Sequence, residues 1–256
     1  MNLESTRVIA IANQKGGVGK TTTAVNLSAS IALTEQRVLL IDLDPQANTT
    51  SFLGLDPRTV AKSSYEVLLG SIPIAEAKCQ VGVPTLDVVP SAVRLVGAEV
   101  ELIEMERREQ RLKDALLALD ASYDFIIIDC PPSLSILTIN ALIAARSVLV
   151  PVQCEYFALE GLGLLLDTIR KIQSSLNPNL TIEGVLLTMY DARLNLSRQV
   201  EAEARKFFAE KVYQTVIQRN VRLSEAPGFG KPIVLYDPHS VGAENYTSLA
   251  REVMAL

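Results

Sequence analysis

The sequence NQKGGVGKTTTAVNL at residues 13–27 decides the fold of this chain. It follows a short apolar run typical of a strand and precedes a segment with the three-and-four spacing of a helix. Glycine reaches backbone conformations closed to other residues, so the N–H groups around Gly16, Gly17 and Gly19 can turn inward at the positive end of that helix. The motif and its context therefore predict a phosphate-binding loop.

The other residues of this loop have the chemistry that a bound nucleotide needs. Val18 completes the loop between the glycines, and Lys20 would neutralise charge on the β- and γ-phosphates. Thr21 offers a hydroxyl to Mg²⁺, and Thr22 can donate to the α-phosphate where the helix begins. A glycine-rich turn without a ligand is the alternative, and the agreement of motif and context argues against it.

Carboxylates follow two further apolar runs. The segment LLIDLDPQANTT at residues 39–50 places Asp42 and Asp44 at the carboxyl end of a strand, which is the ligand side of a parallel sheet. The segment DFIIIDCPPS at residues 124–133 ends its strand with Asp129, where a carboxylate would hold Mg²⁺ through a water. For Asp42, a structural role at the strand end and a role toward a Mg²⁺-bound water both remain open.

Apolar runs alternate with helical patterns along the whole chain. The strand patterns, apolar on both faces, cover residues 7–13, 37–44, 124–130, 147–152 and 182–189. The helical patterns cover residues 20–33, 96–119, 134–144, 159–174, 196–210 and a short closing segment at 246–256. Residues 54–83 have the weakest periodicity. They could form an interaction surface or an irregular connection, and we expect the irregular connection. The pattern predicts an α/β fold, a mostly parallel sheet flanked by helices on both faces, in a single domain over residues 1–256.

Composition narrows the class of protein. Hydrophobic residues make up 48% and charged residues 21% of the chain, which is typical of a globular protein. The apolar runs are shorter than the ~20 residues of a membrane helix, and no secretory signal is visible, so we expect a cytoplasmic protein without a membrane partner. Cys79, Cys130, Cys154 and His239 lie far apart in the sequence, a pattern that predicts buried thiols rather than a metal site.

The phosphate-binding loop departs from the ordinary form GxxxxGK[ST], because Gln14 stands where that form needs glycine and Lys15 precedes the paired glycines. Residues 15–21 resemble, one by one, the KGGxGKT[TS] loop of the ParA/MinD branch of P-loop ATPases. The resemblance implies a P-loop NTPase that uses ATP and Mg²⁺. It also implies that Lys15 reaches the nucleotide of a partner subunit in an ATP-dependent homodimer, and that Asp44 orients or deprotonates the attacking water, so that Lys15, Lys20 and Asp44 are the catalytic residues.

Later blocks are similar to the ParA/Soj subgroup of this branch. They are PVQCEYFALEGL (151–162), TMYDAR (188–193), RNVRLSEAPGFGKPI (219–233) and YDPHSVGAENY (236–246). The resemblance implies slow ATP hydrolysis stimulated by a ParB-like centromere-binding protein, and association with the nucleoid through nonspecific double-stranded DNA. It places Gln218 and Asn220 against adenine. The subgroup commonly has proline at the position of Gln218, and often a basic residue at that of His239 or Val241.

The net charge of −5 argues against global attraction to nucleic acid but leaves room for a local basic face. Residues 191–231 contain eight basic and five acidic residues, a net charge of +3. Arg205 and Lys206 fit a solvated helix face. By contrast, Arg193, Arg219 and Arg222 lie beside turn signals and match positions that contact DNA phosphate in ParA-like proteins, so we expect them to bind DNA.

Three other functions use the same scaffold. A MinD-like membrane ATPase would end in a basic amphipathic helix, and the segment SLAREVMAL is too short and too weakly basic for that role. A nitrogenase-reductase-like electron carrier would need paired cysteine ligands, which the neighbourhood of Cys130 lacks. A ligase that activates small carboxylates with ATP would need a substrate pocket, to which no motif points.

Overall fold

A computed structural model describes residues 5–120, 122–156 and 162–255. Seven strands form one sheet in the order β3-β4-β2-β5-β1-β6-β7. The strands are β1 (Arg7–Ile11), β2 (Val38–Asp42), β3 (Cys79–Gln80), β4 (Leu86–Val89), β5 (Phe125–Asp129), β6 (Ser147–Gln153) and β7 (Thr181–Thr188). Every neighbouring pair is parallel except β3 with β4, which is antiparallel. The predicted fold class is confirmed.

Helices connect these strands. They are α1 (Lys20–Ala32), α2 (Asn48–Phe52), α3 (Ser64–Leu69), α4 (Ile74–Ala77), α5 (Leu95–Glu101), α6 (Arg111–Leu117), α7 (Ile136–Ala144), α8 (Leu162–Ser175), α9 (Asn195–Phe208), α10 (Val221–Glu225), α11 (Ile233–Tyr236) and α12 (Val241–Ala255). Short 3₁₀ turns lie at Leu102–Glu104, Arg108–Gln110, Ala209–Lys211 and Ala226–Phe229.

The central strands are buried on both faces because successive side chains point into two different apolar cores. In β1, Val8 and Ala10 belong to the core covered by α5, α6, α7 and α8. Ile9 and Ile11 belong to the opposite core, which α1 and α12 cover. This two-sided burial is why the sequence shows continuous apolar runs instead of alternation.

Three expectations about local structure were wrong. Residues 54–83 contain α3, α4 and β3, and a side-chain capping box between Ser63 and Glu66 begins α3. The pattern at 96–119 is not one helix, because the chain turns through Arg107 at a φ of 53° between α5 and α6. The last helix begins at Val241 instead of residue 246.

The strand order brings the candidate site residues to one edge of the sheet. β1 lies between β5 and β6, and β5 lies between β1 and β2. Asp42 and Asp129 are register partners at the carboxyl ends of β2 and β5, beside Ile11 at the end of β1. The loop at residues 13–19 leaves β1 at that same edge, and Thr21, just after it, donates to Asp129.

Candidate nucleotide-binding site

The loop between β1 and α1 has the left-handed conformations that its glycines predict. Gly17 has a φ of 74°, and Gly19 has a φ of 87° and forms the N-cap of α1. Gly16 and Gly17 are exposed, whereas Val18 is buried and its carbonyl accepts a hydrogen bond of 2.8 Å from Thr188 Oγ1. The loop is therefore fixed to β7 while its glycines face the solvent where a phosphate would lie.

Lys20 is buried at the first position of α1. Its Nζ donates to the backbone carbonyl of Lys15 at 3.0 Å, so the ammonium group lies across the loop. Burial lowers the pKa of Lys20, and the negative charges of Asp129 and Asp44 oppose that shift. The nearby carboxylates thus keep a cation at the place where phosphate charge would need one.

Asp129 forms the best candidate for a Mg²⁺ site. Its Oδ2 accepts hydrogen bonds of 2.8 Å from Thr21 Oγ1 and from Thr49 Oγ1. Its Oδ1 is buried and has no hydrogen-bond partner among the residues that the structure describes. Burial raises the pKa of Asp129, and the two threonine hydroxyls oppose the shift. A fully buried carboxylate oxygen without a donor, beside a hydroxyl, fits Mg²⁺ or a water bound to it.

Asp42 differs from Asp129 because the protein occupies both of its oxygens. Oδ1 accepts from the backbone N–H of Asp44 at 3.1 Å, and Oδ2 accepts from the N–H and the hydroxyl of Thr50 at 2.9 and 2.7 Å. Burial and the nearby Asp129 raise the pKa of Asp42. Of the two roles left open by the sequence, this geometry favours the structural one.

Asp44 lines the cleft above the loop, where a phosphate would be bound. Its Oδ1 accepts from the backbone N–H of Gln46 at 2.9 Å. Its backbone carbonyl accepts from the N–H of Ala47 and from the hydroxyl of Ser91, both at 2.8 Å. The carboxylate is held by its own turn and faces the cleft, which is the arrangement required of a group that would position water.

Lys15 has a fixed backbone and a weakly held side chain. Its N–H donates to Asn13 Oδ1 at 3.0 Å, and Asn13 Nδ2 donates to the carbonyl of Pro151 at 2.7 Å. The Lys15 ammonium lies 3.2 Å from Glu155 Oε2 in an ion pair whose two side chains are 36% and 47% exposed. Within one subunit the Lys15 side chain therefore contacts Glu155 at the surface.

The cleft has two connected parts. A volume of about 550 Å³ is lined by the loop, by Asp44 and by residues that the sequence did not single out, among them Phe52 and Pro227. An adjoining pocket of about 290 Å³ contains Gln218 and Asn220, and shares Pro227 with the first part. This pocket lies next to Gly19 and Thr22, at the position expected for adenine. Both apolar and polar side chains line it, as is usual for ligand pockets.

Gln218 and Asn220 also have structural contacts in this pocket. The N–H of Gln218 donates to Asn245 Oδ1 at 3.0 Å, a bond that the proline common in the subgroup could not make. Asn220 Oδ1 accepts from the N–H of Arg222 at 2.8 Å and caps α10. The departure at residue 218 is thus compensated by a hydrogen bond to α12.

The three arginines expected at DNA lie exposed near this pocket. The Arg193 guanidinium donates two hydrogen bonds to Asp191, of 2.9 and 2.7 Å, and the Arg193 N–H donates a third at 3.0 Å. These bonds lower the pKa of the Asp191 carboxyl to about 2, with Arg219 as a further positive charge. Arg222 lies 2.8 Å from Glu225 and 3.4 Å from Asp237. Arg193 and Arg219 therefore form one group around Asp191, and Arg222 forms a second.

Cys130 and Cys154 are buried and Cys79 is half-buried. Burial raises the pKa of all three thiols, and that of Cys154 to about 12. Across residues 5–120, 122–156 and 162–255, His, Cys, Asp and Glu form no cluster that could hold a metal through three of them. These positions fit the packing role predicted for Cys130.

Several residues that form the site were not singled out from the sequence. Thr49 and Thr50 belong to the quoted segment at 39–50, where two adjacent hydroxyls could have been assigned to the neighbouring carboxylates. Met189 and Pro227 come from separate segments that meet only in the folded chain. No local pattern identifies them.

Comparison with known proteins gives the same assignment as the site. Residues 6–182 match the family described as AAA domain. The chain is 58% identical over 249 residues to the sporulation initiation inhibitor protein Soj of Bacillus subtilis, covering 97% of this chain and 98% of that protein. It is 55% identical over 248 residues to the chromosome partitioning protein ParA of Myxococcus xanthus, covering 97% and 88%.

A solved structure described as cobyrinic acid a,c-diamide synthase of Mycobacterium smegmatis, with bound ADP and magnesium, superposes with a TM-score of 0.86. It is 40% identical and covers 97% of this chain and 94% of that one. The similarity to the two partitioning proteins is higher over the same length. With the extra loop lysine, the buried Asp129 and the cleft between them, this similarity shows that the chain belongs to the ParA/Soj family of chromosome-partitioning ATPases.

Proposed function

We propose that this chain binds ATP with Mg²⁺, closes into a homodimer that binds double-stranded DNA nonspecifically, and hydrolyses ATP slowly to drive chromosome or plasmid partition. The observation that best supports the binding of ATP and Mg²⁺ is the buried Oδ1 of Asp129, which has no partner among the described residues. It lies beside Thr21 and Lys20. The identity with partitioning proteins supports the remainder.

In the proposed reaction, Thr21 and Asp129 would hold Mg²⁺, which would supply positive charge against the phosphates. Lys20, whose ammonium lies across the loop, adds a second positive charge there. Asp44 orients the attacking water and accepts its proton, so that ATP and water give ADP and phosphate. Lys15 of each subunit would neutralise charge on the nucleotide of the other.

The DNA part rests on the exposed arginines. Arg193 and Arg222 are paired with carboxylates at the surface, where solvent screens such pairs and makes them weak. The arginines can therefore exchange Asp191 or Glu225 for a DNA phosphate with little loss of free energy. A dimer would present two copies of Arg193, Arg219 and Arg222, which explains how ATP could raise the affinity for DNA without any contact to bases.

The proposed location is the cytoplasm, on the nucleoid, and the proposed partner is a ParB-like protein that stimulates hydrolysis. A MinD-like membrane ATPase is the alternative. No helix in the described part of the chain is long and apolar enough to cross a bilayer.

The experiment that tests this function measures binding to nonspecific duplex DNA with ATP, ADP or no nucleotide, across a series of salt concentrations. We expect binding only with ATP, and a linear fall of log affinity with log salt. Arg222→Ala should weaken binding and reduce the salt slope by about one for each protomer.

The matched control is Arg170→Ala, because Arg170 is also exposed and also pairs with a carboxylate three residues away on a helix. It should leave DNA binding unchanged. Absence of DNA binding in every nucleotide state, together with ATP-dependent binding to anionic vesicles, would replace the proposal by the MinD-like alternative.

A further inference from the structure

Phe229 is an exposed aromatic residue that rests on a fixed side chain. It ends the 3₁₀ turn Ala226–Phe229 and is 64% exposed. Its ring packs against the ring of Tyr236 on α11, with centroids 4.9 Å apart. Tyr236 is half-buried, and its hydroxyl donates to Glu225 Oε2 at 3.1 Å. The orientation of the Phe229 ring is therefore supported from below while much of the residue faces solvent.

The backbone around Phe229 is fixed to the two helices that carry the nucleotide site. A Cβ on Gly230 would lie 3.1 Å from the Cα of Gly54, so the turn after Phe229 touches the turn after α2. The N–H of Ile233 donates to Asn26 Oδ1 of α1 at 2.7 Å, and both residues are buried. Single exposed apolar residues are common and need no explanation. A ring held in solvent by a rigid backbone is different, because it is preorganised for a partner.

The Phe229 ring lies beside Arg222, one of the three arginines expected at DNA. Glu225 Oε2 accepts from the Tyr236 hydroxyl and also from Arg222 Nη1, the latter at 2.8 Å. One carboxylate thus joins the residue beneath the ring to the guanidinium. The ring and the guanidinium are close enough for one duplex to contact both.

The charge of this surface favours an anionic partner. Residues 219–240 contain three basic and two acidic residues, a net charge of +1 with His239 neutral. Both acidic residues, Glu225 and Asp237, contact Arg222. Two ion pairs border the segment and leave the sum unchanged, Arg193 with Asp191 and Arg58 with Asp56. An anion beside the ring therefore replaces only surface pairs, which solvent screens.

The size of the apolar group selects DNA among anionic partners. A helix that binds the surface of a bilayer needs an apolar face of several residues, and one ring buries too little area for that. A stable protein interface buries about 800 Å² on each partner, which is also far more than one ring. A single ring is what a step between two base pairs accepts, because minor-groove proteins insert Phe, Leu or Met side chains there.

We propose that Phe229 is a DNA wedge, which enters the minor groove and partly unstacks one base step while Arg222 binds a nearby phosphate. This inference rests on the proposed function, because it names how that surface contacts the duplex. No base is read in this mode of binding. Affinity instead follows the deformability of the duplex, so flexible TA steps should bind better than stiff A-tracts.

The first test measures binding to duplex DNA with ATP and Mg²⁺ across a series of salt concentrations. Phe229→Ala should weaken binding by about ten-fold, the loss expected when one stacked ring is removed. The salt slope should keep its wild-type value, because no phosphate contact is lost. Phe229→Leu should recover part of the affinity, since leucine also serves as a wedge.

The matched control is Phe207→Ala on α9. Phe207 is 67% exposed and also packs against a neighbouring ring, that of Phe208, but lies outside the segment 219–240. Its substitution should leave DNA binding unchanged. Thermal unfolding and ATP-dependent sedimentation of Phe229→Ala should match those of the wild type, because the ring is on the surface.

Four outcomes of the first test would overturn the DNA wedge. One is equal DNA affinity of Phe229→Ala and the wild type. A second is a loss of affinity with a lower salt slope, because Phe229 would then act only by placing Arg222. Loss of the ATP-dependent dimer would show that the ring faces a second copy of this chain. Loss of binding to phosphatidylserine vesicles, with DNA affinity unchanged, would assign the ring to a membrane.

The second test measures bending of a duplex labelled at both ends, by resonance energy transfer. The wild type should bring the ends together, and more so when a central TA step replaces an A-tract. Phe229→Ala should bind without this bend. Wild-type binding that leaves the duplex straight would overturn the DNA wedge and leave the proposed function intact. Failure of the wild type to bind any duplex with ATP would instead count against the proposed function.

Discussion

Asp42, Asp44 and Asp129 lie at one edge of the sheet, and their hydrogen bonds separate their roles. Asp42 accepts three protein donors, which bond to both of its oxygens. Asp129 keeps one buried oxygen without a protein donor among the described residues. Asp44 accepts from its own turn and faces the cleft. Residue type alone could not distinguish these roles, because the donors come from Thr49, Thr50 and the turn after β2.

Asp44→Asn tests the role of the carboxylate with little change of shape. The amide oxygen can still accept from the N–H of Gln46, so the turn should form. Because an amide cannot accept the proton of the attacking water, we expect the ATPase rate to fall by about 10² to 10⁴-fold while the affinity for ATP is retained. Single-turnover hydrolysis and nucleotide binding by fluorescence measure the two quantities.

The control for this substitution is Asp56→Asn. Asp56 accepts from the N–H two residues ahead, as Asp44 does, but lies on the surface. Its substitution should leave hydrolysis unchanged. A normal rate in Asp44→Asn would remove the proposed role of Asp44.

At the scale of elements, β7 depends on a glycine that the sequence pattern does not explain. A Cβ on Gly184 would lie 2.5 Å from Cε2 and 2.6 Å from Cζ of Tyr213, whose ring packs over the strand. Tyr213 is buried in the core beneath α12, so its ring cannot easily move away. The site needs β7 in register, because Thr188 at its end holds the phosphate-binding loop.

Gly184→Ala should therefore lower the free energy of unfolding by about 1 to 3 kcal/mol, the usual cost of overpacking a core. Thermal or denaturant unfolding measures the change. Gly163→Ala is the control, because nothing lies within 4 Å of a Cβ there and alanine favours helix α8 by up to about 1 kcal/mol. If both variants unfold like the wild type, the ring of Tyr213 does not constrain β7.

The elements also show how far the sequence could predict the fold and the site. The apolar runs located β1, β2, β5, β6 and β7, and the site could be predicted because Lys20, Asp44 and Asp129 follow strands that end at the same edge. β4 was missed because its four residues are too short for a pattern. The break between α5 and α6 depends on Arg107 in a left-handed conformation, and the pocket lining depends on Met189 and Pro227, which meet only through tertiary packing.

In the whole molecule, the Lys15 ammonium of an isolated subunit can exchange its partner Glu155 for another anion. The backbone of Lys15 is fixed through Asn13 to β6, while its ammonium contacts Glu155 at the surface. An exposed ion pair of this kind stabilises the subunit by at most about 1 kcal/mol. The Lys15 ammonium can therefore leave Glu155 for an anion of higher charge with little loss of free energy. The phosphates of a nucleotide bound to a second subunit are such an anion, so dimerisation should depend on ATP and on this side chain.

Lys15→Gln should therefore bind ATP but remain a monomer in sedimentation velocity with ATP and Mg²⁺, conditions under which we expect the wild type to dimerise. Its unfolding should match the wild type, because only a surface pair is lost. Lys62→Gln removes a comparable exposed pair, with Glu76, and should still dimerise.

Glu155→Gln removes the ion pair of the Lys15 ammonium in the monomer. It should strengthen the dimer by at most about five-fold, the equivalent of about 1 kcal/mol. Dimerisation of Lys15→Gln at the wild-type ATP concentration would show that the subunits associate through another surface.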